Sequence, residues 1–130
     1  MKDPLDLSVA YAKERVQFGR PIGTFQAIQH KCADVMVAVE AARSGAYGAA
    51  CVAAEGAEGL AAAASLAKCT ASEAFFRSAA EAIQIHGGVG FTWEYDLHLY
   101  FKRAKALEPL YGDAAHHREL IVRRITGVRS

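Results

Sequence analysis

A chain of 130 residues has the length of one ordinary domain, and a 52% share of apolar residue types allows it a real core. Fifteen basic residues against fourteen acidic ones leave a formal charge of +1, which offers no strong field to attract nucleic acid or an anionic membrane. No apolar run approaches the roughly 18 to 20 residues that would span a bilayer, and no charged-then-apolar leader follows Met1, so the sequence reads as a cytoplasmic protein.

Asp3, Pro4 and Asp6 form a helix-start signal, because a short acidic side chain caps free amides and proline suits the first helical position. Leu5, Val9, Ala12 and Val16 then recur on one face, which predicts a first helix ending near Gln17. The stretch "FGRPIGT" is a loop that delivers Thr24 as an N-cap. From Phe25 the chain runs without proline to about Glu55, a helix of roughly 45 Å that has to lie along a bundle. Gly45 and Gly48 within it are expected where a neighbouring helix approaches closely. "EGAEG" at 55–59 makes the turn, and a third helix runs from about Leu60 to His86.

That third helix is rich in alanine, as in "AAAASLAKCTASEA", which favours helix and lets helices pack closely. A fourth, from about Asp96 to Leu107, puts Leu97, Tyr100, Phe101 and Ala104 on one side. "EPLYGD" breaks the chain, and a last helix begins near Asp113 with Ala114, His117, Ile121, Ile125 and Val128 at helical spacing. No useful period-two alternation and no internal repeat is found. The expected architecture is all-α: an up-and-down four-helix bundle with a short additional helix. Cys32, Cys51 and Cys69 are odd in number, widely spaced and set in helical sequence, so reduced, buried thiols are expected rather than a disulfide framework or a metal site.

Two glycine-bearing loops carry the chemistry. "QIHGGVGFTWEY" follows a helix, whereas a dinucleotide fingerprint would need a preceding strand. As a helix end it has Gly87 in the left-handed conformation, Gly88 continuing the turn and Gly90 adjusting the exit. Bare backbone at these positions would also let a phosphate approach main-chain amides. In "ERVQFGRPIGTFQAIQH", Arg15 complements a helix C-terminus or forks onto a pyrophosphate. Phe18 plugs the bundle end or stacks on a planar ring, and Gln26 offers an amide in the first turn of a helix.

On "YAKERVQFGRPIGTFQAIQHKCADV", "EAIQIHGGVGFTWEY" and "HHRELIVRRI", the chain resembles the C-terminal helical domain of the acyl-CoA dehydrogenase family, from about Leu5 to Val128. The resemblance implies flavin adenine dinucleotide (FAD) at a subunit interface. Its pyrophosphate and adenosine half would be contacted by Arg15 from the neighbouring subunit, with similar contacts from Gln17, Phe18 and Gln26. Gln84, Gly87 and Gly88 are implied at the same adenosine-diphosphate portion. It implies a homo-oligomer or a hetero-oligomer with other chains of this kind and an acyl-CoA substrate in the complete enzyme. It also implies that the N-terminal helical and middle β-domains of such enzymes are not encoded in this chain, which is then a piece of a longer enzyme or a short subunit that docks onto others.

Family chemistry needs a carboxylate base to remove the α-proton while a hydride leaves the β-carbon for the flavin. Aligning "LYGDAAHHRELI" sets Tyr111 on the tyrosine expected beside substrate and Gly112 on the usual glutamate. Asp113, one residue later, is a candidate base but is shorter and better read as the cap of the last helix. Glu108 before Pro109 reads as a solvated loop residue. The base is otherwise supplied by a helix preceding this chain or by a partner subunit. Adjacent His116 and His117 diverge by about 100° on a helix, which argues against joint metal ligation. The family's Arg-Asp pair becomes Arg103 and Ala104. Besides an FAD-dependent dehydrogenase domain, a non-catalytic helical bundle serving as a structural subunit fits the missing glutamate, and a third option is another flavin reaction.

Overall fold

The computed structural model describes residues 3–56 and 58–127. Met1, Ala57 of the expected turn, and Val128 of the expected apolar stripe lie outside the described residues. Among these residues the elements in chain order are α1 (Pro4–Glu14), a hairpin of β1 (Val16–Gln17) and β2 (Arg20–Pro21), a 3-10 turn (Ile22–Thr24), α2 (Gln26–Glu55), α3 (Leu60–His86), a 3-10 segment (Gly87–Phe91), α4 (Leu97–Leu107) and α5 (Ala114–Thr126). The architecture is the expected all-α bundle. α3 is its centre and packs against α1, α2, α4 and α5.

α1 starts as expected, with the Asp3 carboxylate accepting the Asp6 N–H at 2.9 Å. It buries Pro4, Ser8 and Ala12, a ridge of small residues, and the Ser8 hydroxyl is satisfied by the Pro4 carbonyl at 2.7 Å. The helix ends at Glu14 rather than near Gln17, and Val16, expected on the buried face, is 56% exposed. The cause is a two-residue hairpin. Val16 pairs with Pro21 and Gln17 with Arg20, around Phe18 and Gly19 at φ 54° and 76°. Positive φ at both central residues is the turn geometry that matches strand twist. The hairpin lowers Ile22 into an apolar cluster with Ala12 and Ile85. Thr24 is not the N-cap of α2: its hydroxyl donates to the Pro21 carbonyl at 2.7 Å, and Phe25 holds the cap position without a side-chain bond.

α2 and α3 run antiparallel around the turn, whose Gly56 and Gly59 take φ 61° and 98°. The expected close approach holds at Gly45, where an added Cβ would meet the Ala67 Cα at 3.7 Å, but not at Gly48, which faces no atom within 4 Å. α3 buries mostly small side chains, among them Ser65, Cys69, Ala74, Ser78, Ala79 and Ala82, so its neighbours come near its backbone. Lys31–Glu81 and Arg77–Asp34 pair across α2 and α3, and Arg118–Glu73 pairs α5 with α3. These pairs are solvent-accessible and add little stability.

α4 turns Leu97 and Ala104 fully inward, with Tyr100 and Phe101 half-buried. Ala104 therefore sits where a carboxylate would be buried against α3, while Arg103 is exposed. α5 is capped by Asp113, whose carboxylate accepts the His116 N–H at 2.8 Å. Its apolar stripe fades: Ile121 is half-buried but Ile125 is 79% exposed. All three thiols are free, Cys69 buried and Cys32 half-buried. Cys51 is exposed, contrary to expectation, because of all α2 only Val35 is fully buried. No described helix is long and apolar enough to cross a membrane.

Candidate functional site

The end of α1, the hairpin, the start of α2 and the glycine segment after α3 surround one open hollow of about 750 Å³. Arg15, Gln17 and Phe18 line it from one side and Gly87 and Gly88 from the other. Gln26 and Gln84 are exposed and do not line it, although their chain neighbours Ala27 and Ile85 do. The floor is apolar and aromatic, with Ile22, Phe25, Ile28 and Ile85 beside Tyr11 and His86.

Tyr11 and His86 were not singled out from the sequence. The two rings stack at 4.1 Å with planes 21° apart, and Tyr95 meets the imidazole edge-on at 4.9 Å. His86 is buried, and its Nδ1 lies 2.8 Å from the Ala82 carbonyl, which makes Nδ1–H the donor and leaves Nε2 bare. Burial pushes the imidazole below the usual histidine range, and the carbonyl bond only partly opposes this. A neutral ring therefore ties the helix that Arg15 caps to the segment that begins with Gly87. The available signals were the four-residue spacing from Tyr11 to Arg15, one helical face, and the position of His86 directly before the glycines.

Two of the three glycines have a structural cause, and the third has none among the described residues. Gly87 has φ 64° and ψ −142°, a glycine conformation but not the expected left-handed helical one. Gly90 is buried with no room for a side chain, since a Cβ would lie 2.9 Å from the Ile83 carbonyl oxygen. Gly88 has neither reason: its φ is not in the positive region, and an added Cβ meets no atom within 4 Å. Among the described residues nothing requires it to be bare, yet it borders the hollow.

Arg15 is exposed and, among the described residues, has no ion-pair partner. Its backbone caps α1 through the Tyr11 carbonyl, so the guanidinium is left over. Phe18 does not plug the bundle: its ring is 90% exposed, touching Phe25 edge-on at 6.2 Å, and its backbone sits at φ 54°. Such strain in a bulky residue costs about 1 kcal/mol or more. Phe18→Asn, which suits this turn position, is expected to add roughly 1 kcal/mol of stability, read as a higher urea midpoint at unchanged m. An unchanged or lower midpoint would show that the ring steadies the hairpin through Phe25.

Tyr111 lines a separate pocket of about 290 Å³ with Lys68, Ala71, Phe75, Ala104 and Leu110. Its side chain is 86% exposed and its φ is 63°. Gly112 has φ 99°, and an added Cβ would fall 2.5 Å from the His116 ring, so this position opposes any side chain. The Asp113 carboxylate is engaged in its cap, and Glu108 pairs with Lys105 at 2.8 Å. The His116 and His117 rings stand 5.4 Å apart at 80°, and the His117 Nε2 bonds the Tyr111 carbonyl at 3.0 Å.

The family model described as acyl-CoA dehydrogenase, C-terminal domain, matches residues 1–126. The acyl-CoA dehydrogenase IpdE2 of Mycolicibacterium smegmatis is 48% identical over 108 residues, which cover 83% of this chain and 33% of that protein. Butyryl-CoA dehydrogenase from Megasphaera elsdenii superposes with a TM-score of 0.89 at 36% identity, over 95% of this chain and 32% of the other. The ChsE4–ChsE5 complex from Mycobacterium tuberculosis gives 0.89 at 33% identity, over 98% and 34%. The chain thus spans about a third of the length of the relatives it matches.

Proposed function

Since this chain belongs to the acyl-CoA dehydrogenase family, we propose that its hollow is the seat for the adenosine-diphosphate half of FAD at a subunit interface of a complete dehydrogenase. The observation that carries this reading is Gly88: bare without a conformational or packing need among the described residues, it lines one hollow with Arg15, whose guanidinium has no ion-pair partner among them. Such a pair suits a pyrophosphate, which takes backbone amides on one side and an arginine fork on the other. Phe18, held exposed on its strained turn, offers a ring face to stack, and Gln17 offers an amide. Gln26 and Gln84 flank lining residues and would reach the cofactor from the rim. The flavin, when bound, would accept the hydride from the acyl β-carbon.

This chain's own residues then bind and orient rather than transfer the proton. Gly112 has nothing to titrate and Asp113 is a cap, so the base comes from a preceding segment or a partner subunit. Tyr111 would meet the acyl-CoA. The N-terminal helical and middle β-domains, needed to enclose flavin ring and substrate, belong to sequence outside this chain or to other subunits. Exposed Met36, Val37 and Tyr47 on α2 and Val122 and Ile125 on α5 suit burial in a homo- or hetero-oligomer. The ChsE4–ChsE5 neighbour is itself a two-component complex. The setting is the cytoplasm.

A second reading, a non-catalytic structural subunit, is favoured by Gly112 alone. Mixing the chain with FAD and with chains that carry the missing domains separates the two. Yellow colour and acyl-CoA oxidation that appear only in the mixed oligomer are the expected result. A colourless bundle that recruits no flavin in any mixture would leave the structural subunit.

A further inference from the structure

We infer that Lys68 is a positioning residue: its ammonium holds the end of α4 and thereby fixes the loop that presents Tyr111. The Lys68 Nζ donates to the Ser72 hydroxyl at 2.6 Å and to the carbonyls of Leu107 and Glu108, both at 3.2 Å. An ammonium has three donors, and all three are used. Among the described residues Lys68 has no carboxylate partner, because Glu108, the acid beside it, is engaged by Lys105. Its charge is spent on helix-end carbonyls, which carry the negative end of the helix dipole and lack partners within the helix.

The loop that follows is fixed in steps from that point. Leu110 N–H bonds the Leu107 carbonyl at 3.2 Å and Gly112 N–H bonds the Pro109 carbonyl at 3.1 Å. From the far side the His117 ring bonds the Tyr111 carbonyl. Tyr111 at φ 63°, an unfavourable conformation for a bulky residue, needs such bracing to persist, while Gly112 at φ 99° takes its positive φ freely. Lys68 also lines the apolar pocket at whose edge Tyr111 stands. Removing the ammonium would take one partner from the Leu107 carbonyl, which keeps the Leu110 N–H, and the lysine bond from the Glu108 carbonyl.

The functional weight of this clamp rests on the reading that Tyr111 meets an acyl-CoA, but its test does not. Hydrogen exchange on the full chain, without flavin or substrate, is compared for the native protein, Lys68→Met, Lys68→Arg and Ser72→Ala. Lys68→Met is expected to speed exchange at Leu110 and Gly112 about tenfold or more, the loss of charge-assisted bonds, while amides of α3 from 74 to 86 keep their protection. Lys68→Arg should restore much of the loop protection, and Ser72→Ala, which spares both carbonyl bonds, should change it little. Unchanged exchange at Leu110 and Gly112 in Lys68→Met would overturn the clamp. A uniform rise across the chain would overturn it too, since Lys68 would then support the fold at large. Loss of acyl-CoA oxidation in Tyr111→Ala is a separate measurement, so a failure of the substrate reading leaves the exchange result intact.

Discussion

Gly90→Ala is expected to destabilise the domain by about 2–3 kcal/mol, a drop of roughly 10 °C in Tm. A Cβ there would sit 2.9 Å from the Ile83 carbonyl oxygen, 3.1 Å from the His86 Cβ and 3.2 Å from the Ile83 Cα. Two of those three atoms are backbone of α3, so no rotamer change relieves the contact. The 3-10 segment would have to move away from the helix, pulling on the Tyr11–His86–Tyr95 cluster. Gly88→Ala, two residues earlier, should change stability by under about 0.5 kcal/mol, because its Cβ enters open space. Thermal melts of the two variants side by side check this. Equal losses would mean that the glycines share a purely structural cause and that Gly88 carries no information about a ligand.

Arg15→Ala is expected to do the reverse: leave the melt unchanged within about 0.5 kcal/mol while weakening FAD binding by the assembled protein ten- to a hundredfold. The guanidinium is exposed and has no ion-pair partner among the described residues, so its removal breaks no ion pair there. In the proposed seat it makes charge-assisted bonds to a diphosphate, each worth about 1.5–3 kcal/mol. Arg15→Lys keeps the charge but not the planar fork and should fall between. Arg20, the other arginine of the hairpin region, stacks over Phe25 at 4.3 Å and does not line the hollow, so Arg20→Ala serves as the control. FAD titration of each variant gives the ranking. Equal losses for Arg15→Ala and Arg20→Ala would point to general charge attraction rather than a seat.

The long elements were legible because strong punctuation brackets them. "EGAEG" and the 87–90 glycines delimit an alanine-rich run, and α3 occupies the span from Leu60 to His86 read from the sequence. The caps at Asp3 and Asp113 were legible because a short acid before a helical pattern has few other uses. The hairpin was not. Strands of two residues leave no period to detect, and Phe18 is a poor residue for a turn that prefers asparagine or glycine. Its presence there is the kind of local disagreement that accompanies a site rather than a scaffold.

At the site, the sequence brought forward the residues with obvious chemistry and missed those that join them. Arg15 and Gly88 are far apart in sequence, and their common hollow depends on the ring stack of Tyr11 with His86. A histidine ending a helix has many bland uses, and only its buried, sandwiched ring distinguishes it. Cys51 and Ile125 were misjudged for one physical reason: α2 and α5 lie on the outside of α3, so helical spacing alone overstates how much of them the bundle covers.

The most direct measurement is a titration of the isotopically labelled chain with ADP, following backbone amides and arginine side-chain resonances by NMR. The Gly87 and Gly88 amides and the Arg15 guanidinium should shift together along one saturation curve, with Gly45 and the amides of α5 unmoved, and Arg15→Ala should abolish the shifts at Gly88. Shifts confined to another part of the bundle, or a Gly88 amide that responds identically with and without Arg15, would contradict a shared seat for a nucleotide diphosphate.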